Sequence, residues 1–241
     1  MTWLWRICFS GTGLWPVLAS AATLTGSILL VPADEKSTRK IRDHSGVVVW
    51  LEAKDLEIPK PAPLSPRRAV MDQRNKTFLP HVLAVEVGST VDFPNFDPIF
   101  HNAFSNYDGQ VFDVHLYAPN TTRRVLFRRP GMVRVFCNIH ATMSAVIAVL
   151  PTPYYTVTGV DGKFEIRAPA GMYRFQVWHE RTQAEALIRL ERPLALPDAG
   201  LVMPETRLPE QEYLAVPHKN KYGRDYPPAR EEHVYYPGVR R

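Results

Sequence analysis

Four side chains in this sequence have the types and the spacing to hold a soft metal ion. Cys137, His140 and Met143 fall within the seven residues Cys137-Asn138-Ile139-His140-Ala141-Thr142-Met143, and His101 lies upstream in Asn95-Phe96-Asp97-Pro98-Ile99-Phe100-His101-Asn102. A thiolate, two imidazoles and a thioether match the trigonal His₂Cys arrangement with a weak axial sulfur that suits one-electron copper chemistry. Each residue alone has an ordinary explanation: Cys137 as a core thiol, Met143 as packing, either histidine as a satisfied loop residue. The set of four points instead to one copper ion.

The elements that must position these ligands are strands. Val133, Val135 and Cys137 share one face by the period of two, in a strand expected to end at Asn138. The loop after it returns His140 and Met143, while His101 is expected in a loop after a strand running from Val82 to Phe93. Proline is frequent, at 22 residues against 13 glycines, and the Val, Ile, Thr, Phe and Tyr runs between these breakers favour an all-β protein. With 241 residues, 45% of them hydrophobic, the chain is long enough to bury a substantial core.

The N-terminal Met1–Ala21 stretch carries Arg6, a broken apolar run and Ala19-Ser20-Ala21, the pattern of a secretory signal peptide, and it is too short for a membrane span. Export to the periplasm removes Cys8 and leaves Cys137 as the sole thiol of the mature chain; losing Arg6 takes the charge from +5 to +4. A lone exported cysteine is a core thiol, an intermolecular bridge or a metal ligand, and its neighbours favour the last. The mild, scattered charge excludes a nucleic-acid partner, and GxxxxGK[ST], GxSxG and HExxH are absent, so no enzymatic activity is expected.

Residues 67–150 resemble the cupredoxins, the small blue copper proteins. Val70, Phe78, Pro80, Val85, Val87-Gly88, Val91, Phe93, Asn95, Asp97 and His101 look like that family's opening strands and first ligand loop; Phe127, Pro130-Gly131, Val133, Val135, Phe136, Cys137, His140 and Met143 look like its final hairpin. The Cys-x₂-His-x₂-Met spacing is similar to that of amicyanins, and the chain is also similar to sequences labelled methylamine-utilisation proteins. The resemblance implies a Greek-key β-sandwich and one type 1 copper ion held by His101, Cys137, His140 and Met143. It implies single-electron transfer to a redox partner protein, and it places Asn102 and Asn138 against the ligands. The solvent-facing edge would be His140, with Ile139, Ala141 and Pro98 forming a docking patch. His115 stands where the family carries a small residue and is expected to crowd the ligands' surroundings. A dinuclear centre would need a second cysteine, and an oxygen-reducing cluster would need a His-x-His that is absent. Non-redox copper storage or delivery is the alternative.

Residues 151–203 carry Asp161-Gly162, expected as a hairpin turn, and the alternating runs Phe164/Ile166 and Tyr173/Phe175/Val177. Their pattern resembles the carboxypeptidase regulatory-like, transthyretin-like sandwich, a non-enzymatic module. About fifty residues fall short of a whole sandwich. The missing strands are sought in residues 22–58, at Leu24–Val31 and Gly46–Glu52. This implies a nested order, with the copper domain inserted after a Pro-rich linker at 59–66. Arg123, Arg124, Arg128, Arg129 and Arg134 are assigned to a hairpin before Cys137, where they keep its edge soluble. Residues 204–241 are expected to be an irregular tail with solvated His218 and His233.

Overall fold

The computed structural model describes residues 21–53, 67–106, 109–212 and 218–226; residues 1–20 of the expected signal peptide, the Pro-rich linker and His233 lie outside the described residues. The architecture is all-β with one short helix. The chain begins with β1 (Ala21–Pro32) and β2 (Val48–Ala53). The middle carries β3 (Arg68–Val70), β4 (Asp72–Arg74), β5 (Thr77–Leu79), β6 (Val82–Glu86), β7 (Thr90–Pro94), β8 (Phe104–Ser105), β9 (Phe112–Asp113), β10 (Thr122–Leu126), β11 (Gly131–Phe136) and β12 (Ser144–Leu150). Then come β13 (Tyr155–Val157), β14 (Lys163–Pro169), β15 (Gly171–Trp178), α1 (Ala184–Leu190), β16 (Arg192–Leu196), β17 (Leu201–Val202) and β18 (Thr206–Glu210).

Strands from the two ends of the chain pair with each other. β1 runs antiparallel to β14 and parallel to β17 and β18, while β2 lies between β13 and β15, with β16 beyond. Between these two sheets sits a core of Leu24, Ile28, Val49, Leu51, Phe164, Ile166, Tyr173 and Phe175. The middle of the chain forms the sheets β10-β7-β3 and β6-β12-β11-β8-β9. Their shared core holds Phe78, Phe93, Phe127, Val133, Val135, Ile147 and Cys137.

A third apolar cluster joins the two halves. β12 is buried from Ala145 to Leu150: Ala145, Ile147 and Val149 enter the core around Cys137, whereas Ala148 and Leu150 face the other way, onto Val48 and Trp50 of β2 and Trp178 of β15. A continuous apolar run is what a strand covered on both faces requires.

Three expectations about connections are corrected. The span from Val82 to Phe93 is two strands in different sheets: β6 pairs with β12, β7 with β3 and β10. Gly88, at φ +90°, makes the turn between them. Asp161-Gly162 does make a turn, but β14 leaves it to pair with β1 rather than with β13. Gly162, at φ +71°, accepts a hydrogen bond from the Ile28 amide, and a Cβ there would run into the Ile28 carbonyl oxygen. Likewise β10 pairs with β7 and not with β11, so the five arginines do not share a hairpin. Arg124 of β10 forms an ion pair with Asp92 of β7.

The tail also differs from expectation. Thr206–Glu210 is an ordered strand beside β1, burying Thr206, Leu208 and Glu210, with Glu210 bound by Arg39 and Arg181. Pro204 and Pro209 hid this alternation, because proline is admitted to a strand only where its missing N–H does not interrupt the ladder.

Candidate metal centre

Cys137 leaves β11 at the end of a buried face on which Val133, Val135 and Cys137 are all fully enclosed. The loop it opens is a tight return between β11 and β12: the Cys137 amide donates to the Met143 carbonyl (3.1 Å), and the Met143 amide to the His140 carbonyl (3.1 Å). This fold-back brings His140 Nδ1 to 3.5 Å from Cys137 Sγ. Met143, 1% exposed, is buried in the same core cluster as Cys137.

His101 arrives from the opposite sheet edge. Its backbone exchanges hydrogen bonds with Tyr117 (His101 amide to Tyr117 carbonyl 3.2 Å, the reverse 2.9 Å). The Tyr117 hydroxyl is anchored in turn on the Phe93 carbonyl at 2.9 Å. His101 Nδ1 stands 3.8 Å from Cys137 Sγ, and its Nε2 lies 2.8 Å from Asp97 Oδ2. With Nε2–H donated to the carboxylate, the Nδ1 lone pair faces the sulfur; a carboxylate behind an imidazole fixes ring and tautomer in this way at metal sites. The ligand atoms of His101, Cys137 and His140 all lie within 4.8 Å of one another.

The electrostatics suit a cation between them. Burial pushes the Cys137 thiol up from its ordinary value, with backbone N–H groups of Ile139, Asn102 and His140 opposing. Burial likewise pushes His101 down, against Asp97. Asp97 would be raised by burial, yet it is held below the usual carboxylate value by the amides of Lys76 and Asn75 and by His101. The His101 imidazole, disfavoured as a cation by burial, the His140 imidazole and a thiol that resists ionising form a soft donor set that a thiophilic cation would suit.

Asn102 and Asn138, directly after His101 and Cys137, are joined: the Asn138 amide donates to Asn102 Oδ1 at 3.3 Å. Asn102 Nδ2 donates to Asp113 Oδ1 at 2.7 Å. Of the expected docking patch, Pro98 is exposed, whereas Ile139 packs against the core cluster and the Ala141 carbonyl accepts the His218 amide at 3.0 Å. His115 does not crowd the ligands: its side chain is 79% exposed, turned outward by a left-handed backbone at φ +58°.

Sequence reasoning missed the C-terminal contacts. His218, expected to be solvated, stacks on Phe136 with ring centroids 4.5 Å apart and brings Nε2 within 3.2 Å of the His140 carbonyl. Tyr226 donates its hydroxyl to the Cys137 carbonyl at 2.6 Å. The aromatic residues in a charged tail were the available signal.

No family model matches the chain. A 59-residue stretch is 41% identical to the methylamine utilization protein MauL of Methylorubrum extorquens, covering 24% of this chain and 52% of the relative. The match thus spans about half the length of that protein. Among solved structures, the copper-containing nitrite reductase NirK of Thermus scotoductus overlaps 51% of this chain and 28% of its own, with 23% identity and a TM-score of 0.35. A purple cupredoxin of Nitrosopumilus maritimus overlaps 35% of this chain and 99% of its own (21% identity, TM-score 0.31). An amicyanin variant in its reduced Cu(I) form overlaps 42% and 98% (17% identity, TM-score 0.33). Among the described residues, no helix is long and apolar enough to cross a membrane.

Proposed function

We propose that the protein is an exported type 1 copper protein of the periplasm that carries single electrons between partner proteins and makes or breaks no substrate bond. The observation that carries this reading is the enclosed Cys137 thiol with the Nδ1 atoms of His101 and His140 at 3.8 and 3.5 Å. Copper there would be held by His101, Cys137 and His140 with the Met143 thioether, and would supply the Cu(I)/Cu(II) couple. The chain's own part is to keep the ligands in place whichever charge the centre carries. Asp97 holds the His101 ring, the Cys137–Met143 return holds the other ligands, and Asn102 ties the two segments. His140 is the half-buried member of the set and so the path to a docked partner. We read the middle sheets, residues 67–150, as the copper domain, inserted into a regulatory-like sandwich built by the two ends of the chain, with that sandwich as scaffold or partner contact.

The test is the visible and electron paramagnetic resonance spectrum of the mature protein with one equivalent of Cu(II), beside Cys137→Ser. The expected result is an intense thiolate-to-copper band with narrow hyperfine splitting, lost in the variant. Colourless stoichiometric copper would favour storage or delivery, and no uptake would overturn both.

A further inference from the structure

Residues 218–226 lie along the candidate ligand loop and bind three of its carbonyls and the Asn138 side chain. The His218 amide donates to the Ala141 carbonyl at 3.0 Å, and its ring nitrogen Nε2 is 3.2 Å from the His140 carbonyl. The Lys221 amide donates to Asn138 Oδ1 at 2.9 Å, and the Tyr226 hydroxyl to the Cys137 carbonyl at 2.6 Å. Four of the five loop residues from Cys137 to Ala141, all but Ile139, are thus held by one segment. Aromatic packing seats the segment: the His218 ring lies 4.5 Å from Phe136 and 5.3 Å from Tyr226.

A closed polar ring ties the same segment to the other ligand. Asn138 binds Asn102, Asn102 binds Asp113, the Lys221 ammonium donates to Asp113 Oδ2 at 2.7 Å, and the Lys221 amide returns to Asn138. Two of its members, Asn102 and Asn138, directly follow His101 and Cys137 in sequence, so displacement of either candidate ligand is shared with the C-terminal segment. Each polar atom of such a ring is satisfied only while all four residues stay in place.

We propose that Tyr226, Lys221 and His218 are positioning residues of the metal loop, and that the segment bearing them restrains the opening by which metal enters and leaves. The proposal rests on the copper reading for its metal but not for its mechanics. A loop held only by its own two amide bonds would open with little cost; each additional hydrogen bond of ordinary strength lowers the open population about fivefold. The tail therefore completes a site whose ligands all lie elsewhere.

Two rates in the full-length protein test this. In the metal-free protein, the rate at which a disulfide reagent modifies Cys137 reports loop opening without copper; in the copper-loaded protein, the rate of Cu(I) capture by a chelator reports release. Tyr226→Phe is expected to raise both about fivefold, and Tyr226→Phe with Lys221→Ala to raise them tenfold or more, with the melting temperature held within a few degrees. His218→Phe, which keeps the ring against Phe136 but lacks Nε2, is expected to fall between wild type and Tyr226→Phe. Wild-type rates in all variants would overturn the proposal, as would accelerations matched by global destabilisation. Faster thiol modification in a protein that takes up no copper would keep the restraint and sink the copper reading instead.

Discussion

Asp97 is where a single residue governs the candidate centre. It accepts the Asn75 and Lys76 amides at 2.6 and 2.8 Å and meets His101 Nε2 at 2.8 Å, so it locks one imidazole to the turn between β4 and β5. Asp97→Asn keeps the shape but loses the charge that favours a basic, oriented ring. Such partners are worth 10–100-fold in metal affinity; competition titration should find a weakening of about that size, with the protein still folded. At this scale the sequence showed which side chains could meet. The structure brings the candidate ligand atoms of His101, Cys137 and His140 together, because a short loop obliges near neighbours to converge and the four-residue step from Asp97 to His101 marked the second segment, while Met143 lies in the same buried cluster as Cys137. His218 and Tyr226 did not declare themselves, since their meeting with the loop depends on a chain return of 78 residues for His218 to His140 and 89 for Tyr226 to Cys137, which no local pattern encodes.

Elements obey local chemistry in their faces and tertiary demands in their partners. The alternation of Phe164/Ile166 and Tyr173/Phe175/Val177 predicts half-buried strands, and those residues are the buried ones. What the alternation could not tell is which strand lies alongside. A turn at Asp161-Gly162 permits a hairpin, yet in the structure it delivers β14 to β1, because β1 supplies a seven-residue register against it. Gly162→Ala tests that corner. The left-handed backbone and the approach of the Ile28 carbonyl both penalise a side chain, so denaturant unfolding should show a loss of at least ~1–2 kcal/mol. The copper spectrum should be unchanged, because the corner belongs to a different sheet from β11. Leu150→Ala probes the other face of β12, where removal of a buried leucine from the joining cluster should cost about 2–5 kcal/mol.

Across the whole molecule, the two halves are linked by apolar burial and by the ionisable pair His81–Glu180. His81, before β6, places Nε2 at 2.9 and 3.0 Å from the Glu180 carboxylate after β15. Glu180 raises His81 above its ordinary 6.5, although burial opposes it; burial alone would raise Glu180, but His81 holds it below its ordinary 4.5. A raised histidine contributes fully below 6.5 and loses its contribution as pH rises through its folded value. A lowered glutamate contributes fully above 4.5 and loses its contribution as pH falls through its folded value. The coupling is therefore complete between pH 4.5 and 6.5. A double-mutant cycle with His81→Ala and Glu180→Ala should give ~0.2–1 kcal/mol at pH 5.5 and a smaller value at pH 9. Whether the proposed copper ion keeps one ligand set in both oxidation states is read by X-ray absorption at the copper edge of oxidised and reduced protein. One short sulfur and two imidazole nitrogens in both states is the predicted result. Loss of an imidazole on reduction, or a copper shell without the short sulfur, would contradict it.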